Sequence, residues 1–130
     1  MRVMKAIATA LALSILALSS SASAESSNDA VIDKIGFDLD QLDDSGLYGP
    51  ADGKRSLSYE FCVPNNLAAI ATVQNIDPTL MMYPQSPGRI GCDEAEVLAI
   101  GETHQPNYRD VLINLASLEM IDRIEQFWGE

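Results

Sequence analysis

The stretch from Leu80 to His104, LMMYPQSPGRIGCDEAEVLAIGETH, decides the fold of this chain. Residues 80–83 are apolar and precede Pro84, which cannot donate to a sheet ladder, so they predict a short edge strand. Residues 94–101 begin polar and become continuously apolar, which is typical of a strand that enters the middle of a sheet. Between them, Pro87-Gly88 suits the centre of a type II turn, because glycine accepts the positive second dihedral.

The residues before this stretch predict a strand and a helix. Over residues 57–63, large apolar side chains alternate with the polar set Ser58, Glu60 and Cys62, as in a strand with one buried face. Asn65 or Asn66 can then cap a helix, which Asp77-Pro78 ends because proline disfavours helical dihedrals in the residue before it. The apolar stripe of this helix consists of Leu67, Ile70, Ala71, Val73 and Ile76.

The residues after this stretch predict a second helix and a final element. Asn107 and Asp110 resemble a capping box, and the apolar stripe that follows is Val111, Leu112, Leu115 and Leu118. Residues 121–128 either continue this helix or form a last strand, and we favour a strand that pairs with residues 57–63. The resulting order is βαββαβ. It predicts an α+β fold of the ferredoxin-like, split βαβ type, with an antiparallel sheet and two helices on one face.

Two cysteines test this topology. In a ferredoxin-like sheet the first strand is central and antiparallel to the third, which brings Cys62 at the end of one strand close to Cys92 at the start of the other. We therefore predict a Cys62–Cys92 disulfide, whose Cα atoms must lie within about 7 Å of each other. Two distant cysteines and one histidine do not supply the four ligands of a zinc site, so no metal and no cofactor is expected.

The N-terminus of the 130-residue chain resembles an export signal. Arg2 and Lys5 precede the uncharged run 6–18, and Ala22-Ser23-Ala24 fits a cleavage site, so residues 1–24 are predicted to be a signal peptide. The run is shorter than the ~20 apolar residues that span a bilayer. The net charge of −11 repels phosphate backbones and anionic headgroups, which argues against nucleic acid and against membrane binding after cleavage.

The exported chain is predicted to have two parts. Residues 25–56 form an acidic N-terminal arm with few large apolar residues, and residues 57–130 form the small α+β domain. Within the arm, residues 28–42 could form a short helix. The acidic run 38–46 lacks the ligand spacing of a calcium-binding loop, because Leu42 occupies its fifth position, so a solvated acidic linker is the favoured interpretation.

Three residues are candidate binding residues. Arg89 can clamp a carboxylate or phosphate, or can form a salt bridge with one of the nearby acids. Ile90 beside it would present an apolar side chain at the tip of the loop. His104, the only histidine, precedes a helix N-terminus and could act as a general base, but the sequence places no nucleophile beside it.

These observations support two hypotheses about function. The first is an exported, acidic, non-enzymatic binding or accessory protein that contacts another protein through the 84–92 loop or the open face of the sheet. The alternative is a small-ligand or metal-dependent enzyme centred on His104, with Glu102 and Asn107. The oligomeric state stays open.

Three segments carry a resemblance to a group of proteins. They are GLYGPADG at residues 46–53, YEFCVP at residues 59–64 and GRIGC at residues 88–92. Together they resemble small exported proteins of cyanobacteria that carry no assigned activity. The resemblance implies a periplasmic or thylakoid-lumen address, with an extracellular one also open, and it transfers no site residues.

Overall fold

A computed structural model describes residues 29–128 as a mixed α+β fold with a two-stranded and a four-stranded antiparallel sheet. The predicted signal peptide lies outside the described residues. The elements, in chain order, are a 3₁₀ helix Leu39–Gln41, β1 Leu47–Tyr48, β2 Arg55–Ser56, β3 Ser58–Pro64, α1 Leu67–Ile76, β4 Met81–Tyr83, β5 Glu96–Glu102, α2 Tyr108–Ala116 and β6 Glu125–Phe127; residues 29–33 are also helical.

The four-stranded sheet has the strand order β4-β5-β3-β6. β3 and β5 are its central strands and pair antiparallel over their full length, from Ser58 opposite Glu102 to Pro64 opposite Glu96. β4 pairs only with β5, which confirms the predicted edge strand. β6 pairs antiparallel with β3, so the strand interpretation of the C-terminal segment is confirmed for residues 125–127 and the continuous helix is wrong.

Helix α1 begins and ends where the sequence predicts. The side chain of Asn66 accepts a hydrogen bond of 2.8 Å from the backbone N–H of Ala69, and Asp77 follows the last helical residue. Val73 is fully buried in the core. One member of the predicted stripe differs, because Leu67 lies in the first turn and its side chain is 87% exposed.

The start of helix α2 differs from the prediction. Asn107 precedes the helix, but its φ of 58° places it in the left-handed region, and its side chain makes no capping hydrogen bond. The capping-box interpretation with Asp110 is therefore wrong. Burial rather than capping holds this helix in place, since Leu112 and Leu115 are fully buried.

The acidic arm contributes to the core of the domain. Ile35 and Leu42 are both buried, and Ile35 forms a parallel bridge with Ile124 just before β6. The ring of Phe37 stacks on that of Tyr59, with centroids 6.4 Å apart. Among residues 29–56, every acidic side chain except that of Asp43 is exposed, while Ile35 and Leu42 pack into the core.

A buried polar network joins the end of helix α1 to the sheet. The Asp77 carboxylate, which is fully buried, accepts hydrogen bonds from the hydroxyl of Tyr59, from the N–H and the hydroxyl of Thr79 at 2.9 and 2.7 Å, and from Nε2 of Gln105 at 3.1 Å. Burial and the adjacent carboxylate raise the pKa of Tyr59, so its hydroxyl remains protonated and acts as a donor.

The predicted disulfide is present. Cys62 and Cys92 are joined, with Cα atoms 5.5 Å apart. Cys92 does not lie opposite Cys62 in the sheet, because the cross-strand partner of Cys62 is Leu98. The disulfide therefore ties the loop that precedes β5 to the face of the sheet on which Cys62 lies. Among the helices of residues 29–128, none has the length and the apolar character of a membrane-spanning helix.

We predict that Asp77→Ala lowers the free energy of unfolding by about 3 kcal/mol, because it removes the acceptor of four hydrogen bonds, two of them from the buried side chains of Tyr59 and Gln105. Urea unfolding measures this loss. Asp52→Ala, at an exposed position, is the control and should change the value by less than about 0.5 kcal/mol. Equal effects of the two substitutions would contradict a stabilising role for the network.

We also predict that replacing both cysteines by alanine destabilises the domain. The disulfide closes a loop with a sequence separation of 30, and its loss should cost about 3 kcal/mol and lower the thermal midpoint by about 10 °C or more. Thermal unfolding monitored by circular dichroism measures the change. An unchanged midpoint would show that the loop is held by its other contacts.

Candidate binding face

The two faces of the four-stranded sheet differ in what covers them. One face carries Tyr59, Phe61 and Val63 of β3 and belongs to the hydrophobic core. The opposite face, which we call the outer face, carries the alternate residues. Because cross-strand partners share a face, these are Ser58, Glu60 and Cys62 of β3, Leu98, Ile100 and Glu102 of β5, Met81 and Tyr83 of β4, and Glu125 and Phe127 of β6.

Residues 84–92, which we call the covering loop, lie over one part of the outer face. Gly88 has a φ of 69°, as predicted for the second central residue of the turn. A Cβ atom placed on Gly88 would lie 2.5 Å from Oε1 of Glu60 and 2.7 Å from Cδ1 of Leu98. Only glycine therefore allows the loop to approach the sheet this closely.

Two attachments hold the covering loop in place. The disulfide joins its last residue, Cys92, to Cys62 on the sheet. Nη2 of Arg123 donates a hydrogen bond of 2.9 Å to the backbone carbonyl of Ile90. Glu60 and Leu98 are consequently only 1% and 2% exposed, although both lie on the outer face.

The rest of the outer face is an open groove with a volume of about 440 Å³. Met81 and Tyr83 of the edge strand β4 form one wall and are 60% and 40% exposed. The lining combines apolar and polar side chains. The other lining residues are the apolar Ile100 and Phe127, the polar Ser58, Thr79, Ser86 and Glu102, and, at the border with the covered part, Gly88 and the buried Leu98.

Glu60, in the covered part of the outer face, is a buried acid. Its Oε1 atom is buried and has no hydrogen-bond partner within the described residues. Burial raises the pKa of this carboxyl above the ordinary value of a glutamate, and the nearby carboxylate of Glu125 acts in the same direction. The backbone N–H groups of Ile90 and Arg89 and the Arg89 guanidinium oppose this shift.

Arg89 and Ile90, the candidates from the sequence, lie side by side in the covering loop. Arg89 is exposed, and it takes part in none of the three ion pairs found within residues 29–128. Ile90 is half-buried and lies beside Cys62. The loop thus turns Ile90 toward the sheet and Arg89 toward solvent.

His104 does not line the groove. It is exposed after the end of β5, and its Nδ1 donates a hydrogen bond of 2.9 Å to the backbone carbonyl of Ser45 in the arm. Glu102 accepts a hydrogen bond of 3.3 Å from the Ser56 hydroxyl. Among the described residues, a set of three close metal-ligand atoms is formed by Cys62, Cys92 and Glu96, but the two sulfurs are bonded to each other.

Sequence reasoning missed Glu60, since strand alternation assigns it to the exposed set. A signal for its burial was nevertheless present in the sequence. Cys62 lies two residues further along the same face, so a disulfide to Cys92 must bring the loop over that face next to Glu60. The alternation assigned Glu60 to the correct face of the sheet, but it could not show that a loop covers this face.

The comparisons with known proteins found no similarity. No protein family, no curated protein and no solved structure matches the chain.

We predict that Gly88→Ala destabilises the protein by at least about 1 kcal/mol more than Gly91→Ala. Both glycines have a positive φ, of 69° and 84°, so both substitutions strain the backbone. A Cβ atom on Gly91 meets nothing within 4 Å, whereas one on Gly88 meets Glu60 and Leu98. Urea unfolding of the two variants measures the difference, and equal losses would contradict a loop seated on the sheet.

Proposed function

We propose that the protein is an exported, non-enzymatic binding or accessory protein that contacts another protein through the outer face of its sheet. The observation that carries this proposal is the open groove, with two large apolar side chains of an edge strand exposed along one wall. Exposed apolar surface that is contiguous and bordered by polar residues is typical of interaction sites. The covering loop forms one border of the groove through Ser86 and Gly88.

The charge of the protein indicates which partner surface fits. The chain has a net charge of −11, and the residues lining the groove include Glu102 but no lysine or arginine. A partner segment with apolar side chains for the groove and basic residues at its border is complementary to this surface. Arg89 is an exposed cation near the same border and would contact an acidic group of the partner.

We also propose a fold type and a cellular compartment for the protein. We assign the sheet and its two α-helices to the ferredoxin-like, split βαβ arrangement, which is supported by the element order and by the strand order β4-β5-β3-β6. We assign the protein to a periplasmic, lumenal or extracellular compartment. A disulfide is compatible with such an oxidising environment.

A pair of charge-introducing substitutions tests the groove. Met81→Asp places a carboxylate in the wall of the groove, and Leu67→Asp makes the same kind of change at an exposed apolar residue in the first turn of α1. Each variant is immobilised and exposed to the native exported fraction. We expect Met81→Asp to reduce partner recovery at least tenfold, because a charge would have to be desolvated on binding, which costs about 1.4 kcal/mol or more.

The control should retain the partner. Leu67→Asp is expected to recover the same protein as wild type, and circular dichroism verifies that both variants are folded. Arg89→Ala in the same assay measures the contribution of the covering loop separately. Full recovery by Met81→Asp would contradict the groove as the contact surface.

A further inference from the structure

The covered part of the outer face contains a buried acid that the proposed binding surface does not use. Glu60 is 1% exposed, its Oε1 has no hydrogen-bond partner in residues 29–128, and Gly88 of the covering loop lies directly over it. A buried carboxylate with an unpartnered oxygen is costly when it is ionised and much less costly when it is protonated. An arrangement of this kind links the position of the loop to the charge on Glu60.

We propose that Glu60 is a protonation switch for the covering loop: the neutral acid lets the loop close on the outer face, and the ionised carboxylate lifts it. Lifting the loop uncovers Leu98 and extends the groove along β3 to Glu60. The inference rests on the proposed function only in treating the outer face as the binding surface. Movement of the loop requires no partner.

The attachments of the loop define which part of it moves. Cys92 is fixed to Cys62, two residues from Glu60 on the same strand, so the C-terminal end of the loop remains beside the sheet. The segment around Gly88 contacts the sheet through Gly88 itself and through the backbone N–H groups of Arg89 and Ile90, which face the Glu60 carboxyl. The Ile90 carbonyl also accepts the hydrogen bond from Arg123. The disulfide therefore acts as a hinge, and the middle of the loop lifts.

Charged groups reach Glu60 from two directions. Glu125, its cross-strand partner on β6, disfavours ionisation, although Arg123 partly neutralises it through an ion pair of 3.2 Å. Arg89 of the covering loop favours ionisation. On the β5 side the cross-strand partner is Ile100, which is uncharged. Desolvation beneath the loop outweighs the favourable charge of Arg89.

The direction of the pH effect follows from these contacts. With the loop closed, burial raises the pKa of Glu60, whereas with the loop lifted the carboxyl meets water and its pKa returns toward the ordinary value of about 4.3. The closed loop is thus fully stable below that ordinary value and loses stability as the pH rises through the raised pKa. Between acid pH and a pH above both pKa values, the ratio of lifted to closed loop increases about tenfold for each pH unit that separates the pKa of the closed state from that of the lifted state.

Solvent access to the Leu98 methyl groups tests the switch. A soluble, neutral gadolinium chelate broadens methyl NMR signals that water can reach, and Leu98 lies under the loop while Leu115 is a fully buried internal reference. In the wild type we expect broadening of the Leu98 signals to increase from about pH 4 to about pH 7, and the Leu115 signals to stay unchanged. In Glu60→Gln, which keeps the shape but cannot ionise, the Leu98 signals should stay protected at both pH values.

Glu94→Gln is the matched control, since it removes an exposed acid that does not line the groove. It should behave as wild type. Equal protection of Leu98 at both pH values in the wild type, or a pH dependence that survives in Glu60→Gln, would overturn the switch. If Glu60→Gln does not fold, a pH titration of the wild-type Leu98 methyl chemical shifts tests the switch instead. Shifts that show no transition with pH would overturn the switch. Full partner recovery by Met81→Asp overturns the proposed function alone and leaves the switch standing.

Discussion

The disulfide between Cys62 and Cys92 is the constraint on which the arrangement of the outer face depends. Cys62 is in the C-terminal half of the central strand β3, and its side chain points away from the hydrophobic core, so the bond draws the loop before β5 over the sheet. This single cross-link divides the outer face into a covered part above Glu60 and Leu98 and an open groove beside β4.

In the covered part of the outer face, the loop packs closely on the sheet but buries a carboxyl group. Gly88 fits against Leu98 without a gap, but the same contact removes water from a carboxylate. Buried acids of this kind reduce stability at neutral pH and are retained where their charge has a use. The other buried acid of the domain, Asp77, is in the opposite situation, since each of its oxygens accepts hydrogen bonds. Asp77 thus stabilises the fold, whereas Glu60 makes the position of the covering loop depend on pH.

Local sequence patterns predicted most of the elements but not what covers them. Alternation identified β3, an asparagine and a proline marked the ends of α1, and two cysteines at strand ends predicted the disulfide. The burial of Glu60 and the contribution of Ile35 to the core depend on segments distant in sequence, so no local pattern reports them. Asn107 fits a capping residue by type, yet its left-handed backbone withdraws the side chain from that role.

The most direct test of this account is whether Gly88 touches the sheet. In the oxidised protein at acid pH, a carbon-edited NOE experiment should show strong contacts between the Gly88 Hα protons and the methyl groups of Leu98, because a Cβ atom on Gly88 would lie 2.7 Å from Cδ1 of that residue. Strong contacts would establish that the covering loop closes over Glu60. If the contacts are absent and the Leu98 methyl groups are open to water, the loop does not cover the outer face, and the account of the groove and the switch is wrong.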